Sequence, residues 1–244
     1  ARSTCAVRAL RRGDEAAVRR LYHDLNRHRS GTTIRSPGWR PPTPCLVATD
    51  SRDRIAGYAT LRSSEVVVLE LGARTDDALG GLAAAIGRRA RRKKQEEGRL
   101  WLPEDHAFGK LAADLGCRWE ITYPRNEGAM ARIISLPQLM RKLTGVLGQR
   151  ASQLHHARPS RLSLTTDIGS LGLDVSPEGV GICPPTGGTR VVLPQAVLAQ
   201  VALGYRAPAE VTTRPGVKIP RRALPVLGDL FPKTCPYMWM ADRF

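Results

Sequence analysis

The chain has 244 residues, 42% of them apolar, and a formal net charge of +16. That length exceeds one average domain and falls short of two large ones, with apolar material for a core or two. No run approaches the roughly 20 apolar residues of a membrane helix, and Arg8, Arg11, Arg12, Arg19 and Arg20 break every stretch that a signal peptide would need, so a cytoplasmic protein without a membrane partner is expected.

Val7 to Leu10 reads as a short strand. A helix follows to about Asn26, with Asp14 as its expected N-cap and Ala17, Val18, Leu21 and Leu25 as its apolar stripe. Residues 27–44 are rich in Arg, Pro and Gly and read as a loop anchored by Trp39. Residues 44–50 and 54–62 form a hairpin around a turn at Asp50–Asp53. Glu65 to Leu71 is dense enough in β-branched residues to be a central strand. Asp76 and Asp77 are expected to cap a helix over 78–94. A strand at 99–103, a helix from Ala107 to Leu115 stopped by Gly116, and strands at 117–123 and 129–134 complete this half. The order predicts an α+β layer of mixed sheet with flanking helices.

The character changes near residue 135. Leu136-Pro137 opens a helix to about Leu147, and 148–160 reads as a basic connector. Strands at 161–166, 172–176, 179–183 and 189–193 follow, with turns at Pro177-Glu178-Gly179 and Gly187-Gly188. A helix from Pro194 stops at Gly204, and another spans 223–230. This half predicts a smaller α+β domain of antiparallel strands and helices.

Few motifs carry chemistry. Cys5, Cys45, Cys117, Cys183 and Cys235 lie far apart, so neither a zinc site nor a disulfide framework is indicated. His155-His156 lacks a third ligand at metal spacing. Asp105-His106 has the composition of an acid–base pair, but Asp105 reads better as a helix N-cap. Neither Gly80-Gly81 nor Gly187-Gly188 lies in a phosphate-cradling context. The basic balance invites an anionic partner. Yet only six of the 38 basic residues are Lys, an Arg-heavy usage that suggests coding bias. The dense patch Arg88–Lys94 precedes Glu96 and Glu97, which at helical spacing would pair with it. A nucleic-acid partner is therefore not the leading expectation.

The end of the chain is the most informative stretch. Leu230-Phe231-Pro232, Pro236-Tyr237-Met238-Trp239-Met240 and Asp242-Arg243-Phe244 place burial-seeking residues where most chains fray. With Leu193-Pro194, Gly204-Tyr205-Arg206-Ala207-Pro208 and Ala223-Leu224-Pro225, this block resembles the C-terminal sterol-carrier-type domain of the enhanced intracellular survival family of N-acetyltransferases. Leu21-Tyr22, Asn26, Arg29-Ser30-Gly31-Thr32, Arg35-Ser36, Trp39, Leu69-Glu70-Leu71, Leu102-Pro103-Glu104-Asp105, Leu115-Gly116-Cys117 and Gly128–Ile134 resemble that family's central domain, in order.

The resemblance implies a degenerate GNAT-like domain over residues 1–135 and a sterol-carrier-like domain over 136–244. It also implies an N-terminal catalytic GNAT domain that this sequence lacks, in keeping with a start at Ala1 rather than Met. Acetyl-CoA would be used only with that domain as partner, because 71–78 sets Asp76 and Asp77 where a cofactor diphosphate would sit. In the family the terminal carboxylate serves as base on the substrate amine, a role that carries over to Phe244. Broad primary-amine specificity and a homo-oligomer, a hexamer, are further implications. No cofactor-binding or metal-binding residue is assigned in the chain itself. The alternative is a stand-alone, non-catalytic module that binds an apolar ligand or a protein partner.

Overall fold

The computed structural model describes residues 5–121, 130–153 and 160–242. Two compact units emerge, Ala1–Tyr123 with Tyr237–Phe244, and Pro124–Pro236. The expected division at 135/136 put the whole last segment in the second domain. Instead Tyr237 and Trp239 pack into a core of the first unit, beside Val18, Tyr22, Val47 and Tyr58.

In the first unit, strands β1 (Ala6–Ala9), β2 (Cys45–Thr49), β3 (Ile55–Leu61), β4 (Val67–Ala73) and β5 (Arg99–Leu100) lie in that order in one sheet. The first four are antiparallel neighbours, and β5 runs parallel to β4. A parallel pair needs a crossover, which helix α2 (Asp76–Arg92) supplies. The period-2 alternation of the strands sorts the core. Val47 and Tyr58 face helix α1 (Glu15–Asn26), which brings Val18, Leu21 and Tyr22. Ala48, Ala59, Leu61 and Leu71 face α2, which brings Leu79, Leu82 and Ile86. Helix α3 (Phe108–Leu115) adds Phe108 and Leu111 to the second of these cores.

Several local expectations are corrected. Asp14 does not cap α1 through its side chain; its carboxylate pairs with Arg8 at 2.6 Å. Thr75, not Asp76, caps α2, its hydroxyl accepting from the Ala78 N–H at 3.2 Å. The two aspartates instead occupy the first turn, where the helix dipole favours them. The strand expected at 99–103 keeps two residues, Arg99 and Leu100. Residues 117–121 and 130–134 belong to no strand, and 122–129 lie outside the described residues. Trp119 and Ile121 are about half exposed and Met130 and Ile134 almost fully. Alternating residue types alone do not make a strand when no ladder partner receives the backbone groups.

In the second unit, helix α4 (Leu136–Ala151) starts at a Ser135 cap with Pro137 in its first turn, and runs four residues beyond the expected end. Strands β6 (Ser160–Thr166), β7 (Gly169–Ser176), β8 (Gly179–Cys183) and β9 (Thr189–Val192) form a sheet in the order β8-β7-β6-β9. Here β9 pairs with β6 in parallel, so the unit is not wholly antiparallel. The reason is that β8 already occupies the outer edge of β7, and the chain after it crosses to the free side of β6. The Gly187-Gly188 turn, with both φ angles positive, therefore feeds a crossing strand rather than a hairpin. Helices α5 (Gln195–Ala202) and α6 (Leu224–Leu230) cover this sheet with Leu198, Val201, Leu227 and Leu230. The core they close leaves a void of about 10 Å³ between Leu162, Leu173, Leu198 and Phe231, room for about one water. Among the described residues, no helix is long and apolar enough to cross a membrane.

Candidate functional site: a buried charge cluster under the last segment

Phe244 lies outside the described residues, as do His155 and His156. The segment leading to Phe244 is described through Asp242, and its mooring is built from loop, sheet and helix together.

Arg35 comes from the loop between α1 and β2 and is 4% exposed. Its guanidinium has two carboxylate partners. Nη1 and Nη2 donate to the two carboxylate oxygens of Glu70 at 2.8 and 2.5 Å. Nε and Nη2 donate to those of Asp242 at 3.0 and 2.9 Å. The planar fork of arginine suits this double bidentate arrangement, which a lysine ammonium could not reproduce. Both faces of the guanidinium are covered as well: it lies 3.5 Å from the ring centroid of Tyr22 and 3.9 Å from that of Trp39. Such stacking on aromatic faces adds cation–π attraction in a desolvated place.

Two tyrosines complete the satisfaction of the carboxylates. The Tyr58 hydroxyl donates to Glu70. The Tyr22 hydroxyl lies 3.0 Å from the Thr33 carbonyl and 3.1 Å from Oδ2 of Asp242, sharing one proton between two acceptors. Glu70 sits on β4 with no exposure at all. Burial raises its pKa, and the Arg35 and Tyr58 contacts oppose the rise. Burial by itself would lower the Arg35 pKa, but the hydrogen bonds and charge of Glu70 outweigh it, so the guanidinium stays a cation. Burial also pushes the Tyr58 and Tyr22 phenols up, which keeps both as donors.

A second tether acts three residues earlier. The indole N–H of Trp239 donates to Oδ1 of Asn26 at 3.0 Å, and Asn26 in turn donates to the Tyr22 carbonyl at 2.9 Å. Asn26 is the last residue of α1, so its buried amide ends the helix and holds the last segment at once. The Tyr237 N–H donates to the Ser30 carbonyl at 2.9 Å. Gly31, with φ +85°, lets the two backbones approach: a Cβ there would stand 3.3 Å from the Tyr237 nitrogen.

His106 joins the same neighbourhood, its ring edge-on to Trp239 at 6.1 Å. Its Nδ1 accepts from the Phe108 N–H, and its Nε2 lies 3.0 Å from the Leu71 carbonyl. That pairing requires a neutral ring with the proton on Nε2, and burial lowers the pKa accordingly. Asp105 is neither an acid–base partner nor a side-chain cap; it pairs with Arg29 at 2.8 Å. His106, not Asp105, satisfies an orphan N–H at the start of α3.

Chemically, this arrangement holds groups still and exposes little. All the carboxylate and guanidinium atoms of the cluster are engaged, which suits a structural clamp better than proton transfer. Among the described residues, no group of three or more His, Cys, Asp or Glu side chains is disposed to hold a metal. At the β4–α2 turn the Ala78 N–H is taken by Thr75 and the first turn carries Asp76 and Asp77. A diphosphate would meet repulsion where it needs free donors, so the residues present do not fit the acetyl-CoA that the sequence resemblance implies.

Comparison with protein-family models and with curated proteins gives no match. Solved structures do match in fold. A probable N-acyltransferase of unknown function from Enterococcus faecalis V583 is 15% identical with a TM-score of 0.70, over 98% of this chain and 62% of that one. A GCN5-related N-acetyltransferase from Anabaena variabilis is 14% identical with a TM-score of 0.66, over 99% and 63%. Another from Kribbella flavida is 17% identical with a TM-score of 0.64, over 98% and 60%. The chain thus has a fold found in GCN5-related N-acetyltransferases, and it spans about three-fifths of the length of these structures.

Proposed function

We propose that this chain is the C-terminal portion of a GNAT-type N-acyltransferase that moves an acetyl group from acetyl-CoA to a primary amine. Its own part is to hold the terminal carboxylate of Phe244 as the base. The observation that carries the reading is the mooring of the last segment: Trp239 on Asn26 and Asp242 on Arg35, in a site assembled from α1, the following loop and β4. Chain geometry limits the two residues after Asp242 to a reach of about 7 Å from it. As a base, the Phe244 carboxylate would need a partly desolvated site, since desolvation raises a carboxylate pKa and lets it take a proton from an ammonium group.

No step of the transfer runs through the β4–α2 turn of this chain, since its residues do not fit the cofactor. Acetyl-CoA would belong to a separate catalytic GNAT domain, and the greater length of the matched structures supports a partner of that kind. The second unit is assigned the sterol-carrier-like role of the family that the sequence resembles. Its filled interior lends no support to an apolar ligand held within it.

The test is acetylation of a panel of primary amines by the protein of the full natural reading frame, read as release of free CoA. We expect turnover, and its loss when one residue is appended after Phe244 while the circular-dichroism spectrum is kept. An unaffected extended variant would overturn the role of the carboxylate. The β4–α2 turn should take no acetyl-CoA: amide chemical shifts of residues 74–78 should stay in place when acetyl-CoA is added to the 244-residue chain, and their displacement would refute the reading of that turn.

A further inference from the structure

At the far end of α2 from its N-cap, an open cleft of about 380 Å³ separates the helix from the β1–β2 edge of the sheet. Arg8, Arg88, Arg89 and Arg92 line it. The last three sit one helical face apart from Ala85 at i+3, i+4 and i+7, so one face of the helix is aimed at one place. Across from them the wall is apolar, made by Val7, Pro44 and Leu46.

Most of the charge there is not neutralised from within. Arg8 pairs with Asp14. Among the described residues, no carboxylate forms an ion pair with Arg88, Arg89 or Arg92. The pairing with Glu96 and Glu97 expected from helical spacing does not occur. Helix α2 ends at Arg92, and Lys94 adopts a left-handed φ of +53°. The Gln95 N–H then returns to the Ala90 carbonyl and the Lys94 N–H to that of Arg91, a Schellman ending. The chain therefore leaves the helix axis before either glutamate.

We propose that this cleft is a binding site for a small organic anion that carries a phosphate or diphosphate group on an apolar or aromatic body. Guanidinium groups recognise phosphate oxygens through paired N–H donors. The excess of arginine over carboxylate matches a ligand of more than one negative charge. The wall of Val7, Pro44 and Leu46 gives the organic body a surface to lie on, and the volume falls in the range of small-molecule sites. The site is separate from the Arg35 cluster and does not rest on the proposed acyl transfer.

Calorimetry on the full chain tests it, with pyrophosphate, ADP and adenosine as probes at low and moderate salt. ADP should bind at least tenfold more tightly than adenosine and more tightly than pyrophosphate. The variant Arg88→Glu/Arg92→Glu, altered only at exposed positions, should lose at least tenfold in ADP affinity with an unchanged thermal melt. Equal affinity for pyrophosphate and ADP would overturn the proposal in favour of an inorganic-anion site. No ADP binding at millimolar concentration, or unaltered binding by the double variant, would also overturn it. So would an oligonucleotide whose affinity climbs steadily with length and is not displaced by ADP, since that marks a nucleic-acid surface.

Discussion

Arg35 and Asp242 stand 207 residues apart in sequence and 2.9 Å apart in space, Nη2 to Oδ2, with side-chain exposures of 0% and 3%. One guanidinium serves two carboxylates here, since Glu70 takes its other edge. This relationship dictates how the last segment will respond to substitution.

Replacing one member of a buried ionic set is far more damaging than replacing all of it. Arg35→Met leaves Glu70 and Asp242 facing each other without a cation, and should cost about 3–5 kcal/mol in urea unfolding. The triple variant Arg35→Met/Glu70→Leu/Asp242→Leu should be more stable than that single variant. A triple variant as damaged as the single one would show that the ionic set is not what holds the segment.

Trp239→Phe keeps most of the ring but removes the donor to Asn26 Oδ1, stranding a buried acceptor. A loss of about 1–3 kcal/mol is expected. Hydrogen exchange should speed up over 237–242 and at the C-terminal turn of α1, and leave β6–β9 unchanged.

The pH dependence falls on His106. Its folded pKa lies below the ordinary value of 6.5 because burial disfavours the charged ring. In the window between the folded and ordinary values the unfolded chain binds more protons, so stability rises with pH there. The His106 contribution is thus complete above about pH 6.5 and is lost as pH falls through the folded value. Unfolding midpoints between pH 7.5 and 5 should drop less for His106→Gln than for the parent. An identical slope in both proteins would count against a neutral, buried ring.

In the second unit, α5 ends in a Schellman motif. The Tyr205 N–H reaches the Gln200 carbonyl at 2.9 Å, and Gly204 has φ +76°. A Cβ on Gly204 would stand 3.1 Å from the Thr234 Cβ and closer still to its hydroxyl. Gly204→Ala combines left-handed strain with overpacking and should cost about 2–4 kcal/mol by denaturant titration. Gly80→Ala, on an open face of α2 where nothing lies within 4 Å, should instead stabilise by about 0.5–1 kcal/mol.

Much of this fold was legible because its signals are local. The α1 stripe, the Val-rich β4, the Leu136-Pro137 start and the Gly204 stop each depend on a few neighbouring residues. Over the described residues 117–121 and 130–134 the expected strands do not form, because pairing is not a local property. The choice of Asp76 over Thr75 as cap failed because both residue types are good caps and only the φ of −133° at Thr75 distinguishes them. The cluster was present in fragments. Arg35-Ser36, Leu69-Glu70-Leu71 and the Asp242 block were each part of the family resemblance, yet nothing in sequence order brings them together. One local hint existed: Glu70 is a lone carboxylate in the interior of an apolar strand, which a buried partner must compensate.

The clamp also bears on synthesis. A ribosome delivers the N-terminal region first, and domains tend to fold as they emerge. Here the first unit stays short of Trp239 and Asp242 until translation has passed residues 124–236. During that interval Arg35 and Glu70 have each other but not their third member, and the pocket for the indole stands empty. Polypeptides that stop short of Trp239 and Asp242 would keep this gap in the first unit.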